Sequence, residues 1–278
     1  MPNDLKPPYD LNDPQLGPVL DELPLWSAPF GVMLLDKIRM RPNLKVLDIG
    51  CGMGFPLIEL AQRLGESCAV YGIDPWPLAL ERICLKNKSL RLTNLVAVKG
   101  EAEELPFRDG FFDLIVSNNG INNVRDPRKA LAECRRTSRA GAQLVLTVNL
   151  PETMREFYDI FEETLRELGR EPEIKKMREH IFAKRKPLEW TNNLLEESGF
   201  EVRDIARDSF TLRYLDGSTM FSHFFIKMYF FPSWKDIVAP AARDEVFTRL
   251  EMKLNKLAQD REELALTIPL ACFDCRRK

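Results

Sequence analysis

The sequence predicts an open α/β fold, a mostly parallel sheet with helices on both faces, and three observations carry that expectation. From Leu44 onward, strand-like and helix-like stretches alternate regularly. One apolar run, Val46-Leu47-Asp48-Ile49, opens directly into a loop with glycine at positions 50, 52 and 54. Phe55-Pro56-Leu57-Ile58-Glu59-Leu60-Ala61 then restarts at helical spacing. The next strand-like run closes on an acid, Asp74, just over twenty residues beyond that loop.

Taken in order, residues 1 to about 18 are rich in Pro, Asp and Asn and read as an extended arm. Leu20 to Met40 is broken by Pro24 and Pro29 before Val32 to Ile38 settles into helical spacing, so an arm and a helix over 1–43 precede the core. Trp26 and Phe30 stand in the broken part. They either close over a ligand or anchor the segment through the large apolar area they bury.

The core, 44–150, reads as strands Leu44 to Ile49, Ala69 to Ile73, Leu95 to Val98, Phe112 to Ser117 and Gln143 to Val148. Helices follow at about Phe55 to Leu64, Pro77 to Lys86 and Pro127 to Arg139. Pro56 and Pro127 suit a first helical turn, and Asp126 is placed to cap the last of these helices. Five parallel strands bring their C-terminal ends to one edge, where open α/β sheets bind ligands. Residues 151–278 are less regular. They read as a helix from Glu152 to Leu168, a helix from Leu188 to Glu197 closed by Gly199, and strands Phe200 to Ala206 and Phe210 to Leu215. A helical insertion over about 216–262 precedes a final strand, Leu264 to Phe273.

Composition narrows the class. The chain has 278 residues, 45% of them apolar, and a net charge of −2 with acids and bases interspersed. No long-range field draws nucleic-acid phosphates, so no nucleic-acid partner is expected. Met1 to Tyr9 has no apolar core behind a basic start, and Phe221 to Pro232 is short and interrupted by His223 and Lys227. A cytoplasmic protein without a membrane span is the expectation. Six scattered cysteines fit buried reduced thiols. Cys272-x-x-Cys275 falls in a predicted strand, where positions three apart face opposite ways, and no metal site is expected.

The glycine loop carries the chemistry. Its glycines let the backbone turn sharply and approach a ligand, and the helix behind it presents unpaired N–H groups to an anion. The dinucleotide fingerprint Gly-x-Gly-x-x-Gly requires glycine at 55, where Phe55 stands. Asp-x-Gly-x-Gly-x-Gly after a strand resembles instead the first motif of class I S-adenosylmethionine-dependent methyltransferases. Three later stretches are similar to the menaquinone and ubiquinone biosynthesis branch of that family. They are Gly100-Glu101-Ala102-Glu103-Glu104-Leu105-Pro106-Phe107, then Phe112-Asp113, then Gly120-Ile121-Asn122-Asn123-Val124 running through Asp126-Pro127 to Lys129-Ala130-Leu131. The matches extend from about Val46 to Val148.

The resemblance implies a Rossmann-like sheet of seven mostly parallel strands and S-adenosylmethionine as cofactor; the helical cap inserted before the last strand is read from this chain's own pattern and departs from the quinone-synthesis enzymes. It assigns the methionine carboxylate to the loop of Asp48, Gly50, Gly52 and Gly54. Asp74, at the end of the second strand, is spaced to accept from both ribose hydroxyls or else to cap the next turn. Pro75 and Trp76 would lie against the adenine. Glu101 would accept from the adenine amino group, and the N–H of Ala102 would meet the ring. Glu101 stands where Asp is usual, which lengthens the reach by one methylene.

Four asparagines, 118, 119, 122 and 123, cluster at the end of the fourth strand. Turn chemistry explains part of this, since Asn tolerates left-handed backbone. The place is also where the methionine end of the cofactor and the acceptor would meet, so Asn118 is read as a cofactor contact and Asn119 as a substrate contact. His180 and His223 are the only histidines, hence the natural candidates for a base. His223 lies among Phe221, Phe224, Phe225, Tyr229, Phe230, Phe231 and Trp234, a run that is either a lid over an apolar acceptor or a packed helix face.

Methyl transfer to a small apolar or aromatic molecule is therefore expected. A nicotinamide oxidoreductase and a non-catalytic cofactor-binding protein are the rivals. A macromolecular acceptor is disfavoured, because Ser117-Asn118-Asn119-Gly120 stands where amide and adenine-amino methylation use Asn-Pro-Pro-aromatic. The resemblance fades after about Leu150, and the substrate does not transfer with the cofactor.

Overall fold

A computed structural model describes Asp13, Leu16–Asp21 and residues 25–278. In chain order the elements are α1 (Leu16–Asp21), α2 (Ser27–Lys37), β1 (Lys45–Ile49), α3 (Leu57–Leu64), β2 (Ala69–Asp74), α4 (Pro77–Leu90), β3 (Leu95–Lys99), β4 (Phe112–Asn118), α5 (Pro127–Thr137) and β5 (Ser138–Asn149). Then come α6 (Arg155–Glu167), α7 (Glu171–Lys184), α8 (Leu188–Glu197), β6 (Phe200–Tyr214), α9 (Gly217–Ser222), α10 (Phe231–Ile237), α11 (Arg243–Arg261) and β7 (Leu264–Arg277). The strands form one seven-stranded sheet in the order β3-β2-β1-β4-β5-β7-β6. β1 to β5 pair in parallel, and β7 runs antiparallel to β5. The expected mostly parallel sheet with helices inserted before the last strand is what the chain forms.

The chain divides into two compact units. The sheet unit comprises 14–149, 187–208 and 270–278. Its central strands β1 and β4 are near-continuous apolar runs because helices cover both faces; Val46, Leu47, Leu114, Ile115 and Val116 are all buried. The strand order reverses between β1 and β4, which opens a crevice at their C-terminal ends. The aromatic unit comprises, among the described residues, Asp13, 150–186 and 209–269. Phe157 and Phe161 on α6, Phe221 on α9, Trp234 on α10 and Phe247 on α11 share its core. Trp234 lies stacked on Phe157 with ring centroids 4.0 Å apart, and its indole N–H donates to the Tyr158 hydroxyl at 2.9 Å.

Several expectations need correction. Pro29 does not break its helix: α2 starts at Ser27, so Pro29 falls in the first turn, where a missing N–H costs no hydrogen bond. The arm expected over residues 1 to about 18 lies mostly outside the described residues, as does Pro24, while Leu16–Asp21 is helical. The helix behind the glycine loop begins at Leu57 and not Phe55, with Pro56 as its cap.

α5 stops at Thr137, and β5 starts at Ser138, five residues before the expected Gln143. The pairing shifts register between Phe112 and Leu114, and Gly141 takes φ +75°, a bulge that the turn-like glycine disguised. The two strands expected between Phe200 and Leu215 are one. β6 holds the sheet edge, where backbone pairing tolerates the polar Arg207-Asp208-Ser209 that looked like a break. α7 was not foreseen, because Glu173, Ile174 and Met177 are all it buries.

Candidate functional site

The glycine loop is pinned to the end of β2. Both Gly50 and Cys51 donate their N–H to the Ile73 carbonyl, at 2.9 and 3.2 Å. Gly52 donates to Oδ2 of Asp74 at 2.9 Å, and Trp76 donates to Oδ1 at the same distance. One carboxylate thus sets the shape of two loops, and each of its oxygens keeps a lone pair for a further donor. One close approach and one positive φ need glycine. A Cβ on Gly120 would stand 2.7 Å from Ser117 Oγ and closer still to the Ile49 carbonyl, so the loop after β4 lies directly on Gly50. Gly52, at φ +48°, has nothing within 4 Å of where its Cβ would be, which leaves an open side above the loop.

Beside it lies a cavity of about 360 Å³ walled by residues from the C-terminal ends of four strands. Ile49 and Gly50 come from β1, Ile73 to Pro75 from β2, Gly100 to Glu103 from the loop after β3, and Gly120 with Asn123 to Arg125 from the loop after β4. The structure brings together Gly50, Asp74, Pro75, Glu101 and Ala102 in this wall. Gly52 joins them through the Asp74 carboxylate.

Asp48, Gly54, Trp76 and Asn118 stand outside the cavity wall. Asp48 is fully buried with both carboxylate oxygens unpartnered; burial, and then the charge of Asp74, push its pKa well above the ordinary carboxylate range. Trp76 forms the cap position of α4. Asn118 is occupied at both ends of its amide, accepting from Thr147 Oγ1 at 2.9 Å and donating to the Ser27 carbonyl at 3.1 Å, which ties α2 to the end of β4.

The rest of the predicted set lies as follows. Asn119 adopts left-handed backbone, φ 60°, and accepts from Asn122 at 2.8 Å, while its own Nδ2 is buried without a partner. Phe30 is fully buried with its ring 5.7 Å from that of Trp26, and Gly31 in the next position of α2 is pressed against the Phe55 ring. His223 belongs to the aromatic unit. It ends α9 with its ring 5.4 Å from that of Tyr214, and burial lowers its pKa.

Two residues escaped the sequence. Arg125 pairs with Glu101 across the mouth of the cavity. Glu103, largely buried, accepts from the N–H groups of Arg125 and Asp126 at 2.8 and 3.1 Å, which clamps the loop after β4 to the loop after β3. No periodicity signals such a loop-to-loop contact. Much of the Leu105-Pro106-Phe107 stretch is scaffold. Leu105 donates to Glu133, whose pKa the neighbouring Arg136 lowers, and Arg136 donates to the carbonyls of Leu105 and Phe107. Phe107 packs edge-on against Phe112 at 4.9 Å. Together these hold Glu101 and Ala102 in place.

The geometry suits a nucleoside with an amino-acid tail: an open glycine face, a carboxylate at the tip of β2, and a second carboxylate at the tip of β3. Comparison with known proteins agrees. A family model described as a methyltransferase domain matches residues 40–203. The demethylmenaquinone methyltransferase of Staphylococcus aureus (strain MRSA252) is 34% identical over 128 residues, which cover 46% of this chain and 52% of that protein. The ubiquinone/menaquinone biosynthesis C-methyltransferase UbiE of Geobacter sp. (strain M21) is 31% identical, covering 46% and 54%. The chain spans about half the length of these curated relatives. Among solved structures, the YcgJ protein of Bacillus subtilis superposes with a TM-score of 0.59 at 17% identity, covering 90% of this chain and 97% of that one. A SAM-dependent methyltransferase from Aquifex aeolicus superposes with a TM-score of 0.54 at 22% identity, covering 70% and 92%. These likenesses show the fold.

Proposed function

We propose that this chain, which belongs to the methyltransferase-domain family, uses S-adenosylmethionine to transfer a methyl group to a small apolar or aromatic acceptor. The observation that carries the reading is the cavity at the strand ends, where Gly50, Asp74, Pro75, Glu101 and Ala102 converge. When bound, S-adenosylmethionine supplies an electrophilic methyl on a sulfonium whose sulfur departs neutral, so no acid is required on that side.

The chain's own residues bind and align. The loop from Asp48 to Gly54, open at Gly52, would take the methionine end. Asp74, already oriented by two N–H groups, would accept from the ribose hydroxyls with its spare lone pairs. Pro75 and Trp76 would flank the adenine. Glu101, once released from Arg125, would accept from the adenine amino group, with the Ala102 N–H on the ring. Asn118 would contribute what its two chain bonds leave free. Holding nucleophile and electrophile in line is worth up to about 7–11 kcal/mol of barrier in favourable cases.

On the acceptor side, the unpartnered donor of Asn119 suits an acceptor oxygen. Trp26 is the aromatic of the N-terminal segment best able to touch a substrate, since Phe30 is enclosed. His223, whose pKa burial lowers, would be the base that takes a proton from the acceptor. The helical insertion over about 216–262 would choose the substrate. Six free cysteines suit a reducing, cytoplasmic setting, and no described helix is long and apolar enough to cross a membrane.

Calorimetry with S-adenosylhomocysteine tests the reading. Asp74→Ala should weaken binding by at least tenfold, the loss of charge-assisted hydrogen bonds worth about 1.5–3 kcal/mol. Equal affinity in wild type and variant would sink the site.

A further inference from the structure

The wall of the strand-end cavity contains a carboxylate that the chain uses only by half. Glu103 follows β3 in that wall and is 9% exposed. Its Oε1 accepts from the N–H groups of Arg125 and Asp126, at 2.8 and 3.1 Å, so the side chain is fixed by two backbone donors. Among the described residues nothing bonds Oε2. Unlike the oxygens of Asp48, it is not sealed from solvent, so a ligand in the cavity can reach it.

Glu101, two residues earlier in the same loop, converges on the same partner. Its Oε2 pairs with the Arg125 guanidinium, while Glu103 holds the Arg125 backbone. The two acids differ in how firmly they are placed. The Glu101 side chain stands at the mouth, 48% exposed, whereas Glu103 is enclosed and already oriented. An acceptor fixed beforehand loses least freedom on binding, which favours Glu103 as a contact. Among the described residues the charged groups of the wall are the carboxylates of Asp74, Glu101 and Glu103 and the guanidinium of Arg125. Such a wall suits a ligand that offers N–H and O–H donors.

We propose that Glu103 is a specificity-determining residue for the adenine base: its Oε2 accepts one hydrogen of the exocyclic amino group, and Glu101 accepts the other. The inference rests on the S-adenosylmethionine reading above. An amino group carries two hydrogens, and one carboxylate at the mouth answers only one of them. Hypoxanthine presents a carbonyl oxygen at that position. It faces two carboxylates there and is rejected by repulsion as well as by lost hydrogen bonds. The clamp made by the other Glu103 oxygen keeps the reading atom in place.

Calorimetry on the full chain compares S-adenosylhomocysteine, its derivative methylated once on the adenine amino nitrogen, and S-inosylhomocysteine. Wild type should bind the first at least about tenfold tighter than either analogue, the loss of a hydrogen bond to a charged group. Glu103→Gln keeps a carbonyl oxygen for the Arg125 and Asp126 N–H groups, so the unliganded thermal midpoint should stay within about 4 °C. Its amide nitrogen cannot accept, so S-adenosylhomocysteine affinity should fall at least about tenfold while S-inosylhomocysteine affinity holds or rises. A loss shared equally by both nucleosides would show that Glu103 only clamps. Equal wild-type affinity for either analogue would show that the amino group is not read twice, and each of these results overturns the proposal. The comparison in wild type needs no variant, so it decides the question if Glu103→Gln does not fold. A wild type that binds none of the three would overturn the cofactor reading and the proposal with it, whereas S-adenosylhomocysteine binding with unchanged discrimination in Glu103→Gln overturns the proposal alone.

Discussion

The two units solve burial in opposite ways. The sheet unit buries three acids and answers two of them with backbone: Asp74 takes the N–H groups of Gly52 and Trp76, and Glu103 takes those of Arg125 and Asp126, while Asp48 is left unpaired and burial disfavours its charged form. The aromatic unit hides positive charge and answers it with rings. Arg185 lies over Tyr158 with 5.2 Å to the centroid, and Lys235 lies over Phe231 at the same distance. Backbone N–H groups can be aimed only where the chain makes unusual turns, and such turns need glycines that are visible in a sequence. Rings can solvate a cation wherever packing brings them. The Asp74 site, shaped by visible glycines, is therefore legible, whereas the Glu103 clamp, made without a glycine, and the ring-held cations are not.

The sharpest way to break this contrast is at the ring stack. Trp234→Ala removes a side chain with no exposed surface and should cost about 3–5 kcal/mol, measured as the shift in denaturant midpoint. A loss under about 1 kcal/mol would mean that the aromatic core repacks freely. In the sheet unit the matching lesion adds volume. Gly120→Ala drives a methyl against the Ile49 carbonyl and Ser117 Oγ and should cost about 1–3 kcal/mol, with weaker S-adenosylhomocysteine binding because Gly50 must shift.

Opposite buried charges also predict opposite pH slopes. The pKa of Asp48 is raised in the folded state, so the stability it contributes is present below its ordinary value of 3.8 and is lost as pH rises through the raised one. Asp48→Asn should flatten the fall in stability toward neutral pH. The pKa of His180 is lowered from 6.5 to about 4, so its contribution is present above 6.5 and is lost as pH falls toward 4. His180→Gln should flatten the acid side. Thermal midpoints of the three proteins from pH 4 to 8 test both signs, and parallel curves would refute the contrast.

The smallest expected effect lies at the cavity mouth. The Arg125–Glu101 pair is solvent-exposed, so Arg125→Ala should change stability by less than about 1 kcal/mol. Freed of that partner, Glu101 should bind the cofactor no worse than before. A severalfold loss of S-adenosylhomocysteine affinity would show that Arg125 itself holds the ligand.

Legibility followed the same division residue by residue. The glycine loop, Asp74 and the Asp126 cap were readable because each rests on a local rule: a positive φ, a strand-end acid, a side chain accepting from Lys129 three residues on. The join of α5 and β5 was misplaced because Gly141 looked like a turn and is a bulge. β6 was split because polar residues at a sheet edge look like a break. Asn118 resembled a ligand contact by position, yet its amide clips α2 to β4, which depends on Ser27 ninety-one positions earlier.

By itself the sequence determined the sheet's first half, because periodicity, glycine spacing and strand-end acids are local constraints that any neighbouring structure must obey, and its motifs implied the cofactor class by resemblance. The tertiary structure alone decided that Arg125 faces Glu101, that Asp48 is buried without a partner, and that Arg185 turns inward onto Tyr158 and Trp234. Those contacts join residues 24, 27 and 76 positions apart, and only the closing of the fold sets which side chains meet.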